Sequence, residues 1–139
     1  MKELSAKDKE LLIKDLCARV PYGVIVAYKS QEGSGCISLG YGNIGYVAEL
    51  GRSGWWIDCK PYLRSKDDMT EEELKIYHSL CYGDEQEILE RGEWVDKVYY
   101  YDTYESIDYL NSIHVDYRYL IEKDLAIKVT KDNNPYKNE

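Results

Sequence analysis

Leu4, Leu11, Leu12, Leu16 and Val20 recur near the period of a helix, with Ser5 placed to cap the first turn and Asp8 inside it. The pattern predicts a helix over about 6–19 that Pro21 halts. Beyond Pro21-Tyr22-Gly23 the pattern changes to the β-branched and aromatic run Val24-Ile25-Val26-Ala27-Tyr28. The polar stretch Ser30-Gln31-Glu32-Gly33-Ser34-Gly35 then reads as a hairpin loop leading to Cys36-Ile37-Ser38-Leu39. Two more strands are predicted at Ile44 to Leu50 and Trp55 to Lys60, joined by Gly51-Arg52-Ser53-Gly54 and ended by Pro61. Four short strands on tight connections make an antiparallel meander over about 22–60. Such a meander closes most easily into a small barrel-like sheet of SH3-like size.

The rest of the chain alternates helical and extended signals. Thr70 and Glu73 match a capping box ahead of Leu74, Ile76, Tyr77 and Leu80, so Thr70 opens a short helix. Asp84 to Arg91 reads as another helical turn or a solvated loop, and Val98-Tyr99-Tyr100-Tyr101 as a fifth strand. Thr103 opens a helix to about Ile113, with Ile107, Leu110 and His114 on one face. Tyr117, Leu120 and Ile121 suggest a further short helix, and Leu125 to Val129 a terminal strand or extended packing segment. The polar end, 131–139, is expected to fray. With no internal repeat and no linker, the expectation is one α+β domain spanning 1–139. It has an N-terminal helix, the barrel-like sheet, and a helical and mixed C-terminal portion over about 70–129.

Several phrases of the chain are familiar in kind: Asp15-Leu16-Cys17-Ala18-Arg19-Val20-Pro21-Tyr22-Gly23-Val24, Lys60-Pro61-Tyr62-Leu63 ahead of Met69-Thr70-Glu71-Glu72, and Tyr104-Glu105-Ser106-Ile107-Asp108-Tyr109-Leu110-Asn111. With His114-Val115-Asp116-Tyr117 and Leu120 to Ile127, the chain resembles small uncharacterised proteins of gut Bacteroidetes and their phages or mobile elements. The resemblance implies a mobile-genome setting and carries over no catalytic or binding residue.

Composition narrows the class. A hydrophobic fraction of 44% against 32% charged residues suits a globular domain with one core. No apolar run nears the roughly 20 residues of a membrane-spanning helix, and the polar start lacks a signal-peptide apolar region, so a cytoplasmic location is expected. Cys17, Cys36, Cys59 and Cys81 form no CxxC pair, which excludes a zinc ribbon or thioredoxin-type motif. Free thiols packed as small hydrophobes are the expectation.

Charge is uneven along the chain. Of the net charge of −8, all the excess lies between Asp67 and Asp96, where eleven acids face only Lys75 and Arg91. Glu71, Glu72, Glu85, Glu87, Glu90 and Glu93 mark this segment, which is a solvated surface or a docking face for a basic partner. Nucleic-acid binding is disfavoured, because Arg52, Lys60, Arg64 and Lys66 are the only local basic group.

Catalytic signals are sparse. His78 and Cys81, three apart on a helix, are a weak metal pair without a third ligand, and neither metal nor cofactor is expected. His114-Val115-Asp116 formally permits a thiol-histidine pair, but a structural histidine explains it better. Gly40-Tyr41-Gly42-Asn43-Ile44-Gly45 has GxGxxG spacing without the following helix a dinucleotide site requires.

Fifteen tyrosines and no phenylalanine leave the aromatic surface as the informative feature. Tyr99, Tyr100, Tyr101, Tyr104, Tyr109, Tyr117 and Tyr119 crowd one region, and strand alternation sends Trp56 to a charged face. Tyrosine gives large contact area for little lost rotamer entropy. The sequence therefore predicts a non-catalytic protein-interaction module using Trp56, Tyr99, Tyr100, Tyr101, Tyr109, Tyr117 and Tyr119 with the acidic segment. The rivals are a small metal-dependent or thiol hydrolase and a self-associating structural protein.

Overall fold

The computed structural model describes residues 5–30, 33–40 and 58–136, and it is a mixed α and β fold with a body and a projecting ribbon. Helix α1 (Ala6–Arg19) begins where expected, with Ser5 Oγ accepting the Asp8 N–H at 3.1 Å. Pro21 leads a single 3₁₀ turn, Val20–Tyr22, and Gly23 at φ 68° then redirects the chain. That left-handed backbone is the one glycine adopts without strain.

Strands β1 (Ile25–Ser30) and β2 (Gly33–Ser38) form the predicted hairpin, but pairing runs from Ile25 with Ser38 to Ser30 with Gly33, so Ser30, Gly33, Ser34 and Gly35 of the expected loop are strand residues. Strand β3 (Asp58–Leu63) lies antiparallel on the other side of β1, and β6 (Ile127–Lys128) runs parallel to β3. The order is β2-β1-β3-β6. The predicted strand at 44–50, the turn at 51–54, the GxGxxG stretch from Tyr41 onward, and Trp55 and Trp56 lie outside the described residues. Among the described strands the sheet is open rather than closed into a barrel. Its outer strand β6 comes from the far end of the chain, so the sheet grows by a parallel addition instead of a continuing meander.

Pro61 does not end its strand. It pairs opposite Val26 inside β3, which continues to Leu63. Pairing with β6 begins only at Tyr62, so on that side a residue without an N–H forfeits no ladder bond.

The core explains why α1 covers the sheet. Leu12 and Leu16 from the helix and Val20 from the turn after it meet Val24, just ahead of β1, and Val26, Cys59 and Leu63 from the sheet, with Leu120, Leu125 and Ala126 closing the layer. A second cluster joins Met69 and Tyr77 to Leu110 and Val115, between α2 (Glu71–Leu80) and α3 (Tyr104–Ser112). Both helices start at capping boxes, Thr70 with Glu73 and Thr103 with Ser106.

A buried ion pair lies between the clusters. Arg19 donates to both oxygens of Asp15, at 2.8 and 3.2 Å, and to the Val115 carbonyl at 2.8 Å, with all three residues fully buried. Arg118 adds a second cation 3.6 Å from Asp15, and both guanidiniums lie over the Tyr117 ring.

Three expectations for the second half change. The segment 84–90 is extended, not helical or looped, and Arg91 begins a tight turn: β4 (Tyr82–Glu90) pairs antiparallel with β5 (Glu93–Tyr101), which starts five residues before the strand predicted at Val98. The short helix expected around Tyr117 to Ile121 is a set of turns. The Asp116 carboxylate accepts the N–H groups of Arg118, Leu120 and Ile121, and Tyr119 and Asp124 hold positive φ, so the helical ladder cannot form. The C-terminal end does not simply fray, because Tyr136 donates to the Tyr62 carbonyl at 2.7 Å and accepts the Ile25 N–H at 3.0 Å. Burial pushes its phenol up to about 12.

Candidate functional site

The β4–β5 ribbon is long for two strands standing alone. Nine rungs connect Tyr82 with Tyr101 at the base to Glu90 with Glu93 at the tip, roughly 30 Å at strand rise. Arg91 and Gly92 close it in two residues at φ 51° and 82°, the pair of left-handed conformations of a type I′ turn. Arginine pays a steric cost there that asparagine or glycine would not, which is why the turn carries no clear sequence signature.

Register sorts the side chains into two faces. One carries Tyr82, Asp84, Gln86, Ile88 and Glu90 with Tyr101, Tyr99, Lys97, Val95 and Glu93. Here Ile88 and Val95 shield each other, Tyr82 and Tyr101 tilt together at 6.4 Å, and Lys97 donates to Glu90 at 2.5 Å. The other face carries Gly83, Glu85, Glu87 and Leu89 with Tyr100, Val98, Asp96 and Trp94. It holds three acids and no base. Leu89 and Trp94 flank them at the tip, and Val98 and Tyr100 toward the base.

None of the twenty residues from Tyr82 to Tyr101 is buried. Trp94 is 66% exposed and Leu89, directly opposite it, 59%. No other described strand pairs with either edge of the ribbon. The exposed apolar side chains of the ribbon are thus gathered on one two-stranded sheet rather than scattered singly.

The base is held firmly. Tyr100 stacks on His78 of α2, with ring centroids 4.0 Å apart and planes within 6°. Tyr77 donates to Asp102 at 2.5 Å, Ser106 donates to the same carboxylate at 3.1 Å, and Thr103 donates to the Leu80 carbonyl at 2.7 Å. Burial, then the Asp102 carboxylate, raises the Tyr77 phenol well above its ordinary range, so it stays a donor. These contacts tie the strand ends to the start of α3 and the end of α2, setting where the ribbon leaves the body.

The predicted surface residues separate. Tyr99, Tyr100 and Tyr101 sit on the ribbon, where the structure adds Tyr82, Leu89, Trp94 and Val98. Tyr109 and Tyr117 are half-buried in the body, Tyr117 as the platform for Arg19 and Arg118. Tyr119 is exposed elsewhere, beside a surface cavity of about 450 Å³ that Tyr117 and Asp116 also line. Trp56 lies outside the described residues. The acidic segment also divides: Glu71 and Glu72 are exposed on the first turn of α2, whereas Glu85 and Glu87 share one ribbon face and Glu90 and Glu93 the other. Glu73 is structural. Its bidentate pair with Arg64, at 2.7 and 2.8 Å, brings its carboxyl down to about 2.

The candidate catalytic residues have packing roles. His78 is the stacking partner of Tyr100, and among the described residues no group of three or more His, Cys, Asp or Glu side chains is placed to hold a metal. His114 lies past the end of α3 at φ 62°, not within its apolar face, and stacks on Tyr136 at 3.9 Å. Burial and the nearby cations Arg19 and Arg64 lower its imidazole to about 4. Cys59 is buried as expected, but the free thiols Cys17 and Cys36 are exposed rather than packed inside.

The signal for the ribbon was present yet weak. Glu93-Trp94-Val95 is a β-type run directly after Arg91-Gly92, and extending the strand at Val98 backward through it would have exposed the two-residue turn. Acidic residues on both faces of β4, at 84, 85, 87 and 90, with Ile88 and Leu89 adjacent, leave it without an apolar period.

Comparison with protein-family models, curated proteins and solved structures returned no match.

Proposed function

We propose that this protein is a non-catalytic interaction module that engages a protein partner through the β4–β5 ribbon. The observation carrying the reading is twenty consecutive residues without a buried side chain, displaying Trp94, Leu89, Val98 and four tyrosines on a sheet whose edges pair with no other described strand. A two-stranded ribbon is marginal in water by itself, and a partner strand or surface supplies the burial it lacks. The body supplies the anchor, through Tyr100 on His78 and the Asp102 hydrogen bonds.

The reading includes work in the cytoplasm of the host of a phage or mobile element. The free thiols of Cys17, Cys36 and Cys81 suit a reducing compartment, and among the described residues no helix is long and apolar enough to cross a membrane. An acidic ribbon does not suit nucleic acid.

Site-specific photo-crosslinkers test the proposal. Placed at Trp94 and Val98 they should capture a discrete partner in host extract, and a crosslinker at Glu10 on α1 should not. Equal capture at Glu10, or capture at Trp94 that survives Leu89→Ala in the same chain, overturns it. A second copy as the partner would appear as concentration-dependent dimerisation in sedimentation.

A further inference from the structure

The two edges of the ribbon are not equivalent. In a hairpin closed by two residues, Glu90 and Glu93 form a hydrogen-bonded pair, and bonded pairs then alternate along the ladder. The N–H and C=O groups of Trp94, Asp96, Val98 and Tyr100 therefore point outward from β5, and those of Gly83, Glu85, Glu87 and Leu89 outward from β4. The β4 edge is guarded by charge, since Asp84, Glu85, Glu87 and Glu90 are four of its nine residues. On β5 the same outward positions carry a tryptophan, a valine and a tyrosine around one aspartate.

That asymmetry selects the chemistry of an incoming strand. A segment added to β5 lies about 4.8 Å from it and about 10 Å from β4. On the face of Trp94 and Asp96, its side chains meet Asp96 directly and, if long, reach Glu85 and Glu87. No base on that face neutralises these acids, in contrast to Lys97 and Glu90 on the other. A second copy of the ribbon would bring three more acids onto the same face. Lysine or arginine at alternate positions would meet Asp96, lie over the exposed Trp94 ring, and complement the acidic band.

We infer that the free edge of β5 takes up an extended cationic segment of a partner protein, with lysine or arginine at alternate positions facing Glu85, Glu87 and Asp96. The inference rests on the ribbon being the docking element and adds which edge is used and what it selects.

A blocked nine-residue peptide, alternating lysine with valine or threonine, is the probe. Its controls are the same peptide with glutamate for lysine, and the lysine peptide N-methylated at alternate residues so that it cannot pair. The lysine peptide should bind at least about tenfold tighter than either control. Binding should weaken as salt rises from 50 to 300 mM, a range in which the screening length shortens to about 6 Å. Bound peptide should protect the amides of Trp94, Asp96, Val98 and Tyr100 from exchange. The triple variant Glu85→Gln, Glu87→Gln, Asp96→Asn should lose about tenfold in affinity for the peptide. Equal binding of the glutamate peptide, undiminished binding by the triple variant, or no binding at all overturns the cationic inference. The docking reading itself is tested separately, by whether association with the crosslinked partner is lost in Leu89→Ala, Trp94→Ala. A dimer that strengthens with salt and disappears in that double variant would replace the cationic segment with a second copy.

Discussion

The body and the ribbon are made from similar residues put to opposite uses. In the body, apolar side chains vanish into shared layers: Leu12, Leu16, Val24, Val26, Leu63 and Leu120 are all fully buried. In the ribbon, Tyr82, Leu89, Trp94, Val98, Tyr99, Tyr100 and Tyr101 remain exposed on a sheet two strands wide. Charges differ in the same sense. Asp15 and Arg19 are paired out of solvent, and Glu85, Glu87 and Asp96 stand in solvent without a base on their face. A fold that can bury Arg19 has no shortage of means to bury a leucine, so the exposure of the ribbon reflects where the chain leads those residues. The body is stabilised by its own layers, and the ribbon by cross-strand neighbours and the contacts at its base.

The comparison breaks most readily in the body. Arg19→Ala would leave Asp15 buried without its bidentate donor and the Val115 carbonyl without a partner, a loss of about 3–5 kcal/mol. Leu16→Ala should cost about 2–5 kcal/mol by opening a cavity under α1. Denaturant titration measures both, and values within about 0.5 kcal/mol of wild type would mean the body is not the stable unit.

Acid offers a second way to separate the regions. The His114 imidazole is lowered in the fold, so the unfolded chain binds its proton first. Stability is complete above the ordinary value of 6.5 and declines as pH falls toward 4, by on the order of 2 kcal/mol. Glu73, also lowered, adds its loss below 4.5 as pH approaches 2. Melting followed across pH 7 to 4 should show the first decline in wild type and a flatter profile in His114→Asn. An unchanged slope in that variant would remove His114 as its source.

Legibility followed the same division. Helix α1, the first hairpin, the Thr70–Glu73 capping box and the helix start at Thr103 could be read because cap and period residues agree locally, as at Ser5 with Asp8 and Thr70 with Glu73. The ribbon could not, because its turn is Arg91-Gly92 instead of an asparagine-glycine pair and its alternation mixes acids with apolar residues. Tyr99, Tyr100 and Tyr101 were recognisable as a surface, but Trp94 and Leu89 meet only through the cross-strand register. Tyr117 resembled them in sequence and serves the opposite purpose, since Arg19 reaches it from about a hundred positions away. Pairing of that range leaves no local trace.

Smaller effects belong to the ribbon. Gly92→Ala places a side chain at φ 82°, with strain of about 1 kcal/mol that should raise amide exchange along β4 and β5 without changing the body. Leu89→Ala with Trp94→Ala should alter global unfolding by less than about 0.5 kcal/mol while abolishing partner association. A larger change in unfolding would show that the ribbon supports the fold.

Amide hydrogen exchange on the free protein, resolved residue by residue, tests the central claim most directly. The account predicts alternation along β5: Val95, Lys97 and Tyr99 protected by β4, and Trp94, Asp96 and Val98 exchanging near the rate of an open chain. Val26 and Leu63 in the body should be far slower than either set. If Trp94, Asp96 and Val98 are protected as strongly as Val26, the edge is already occupied and the ribbon is part of the core.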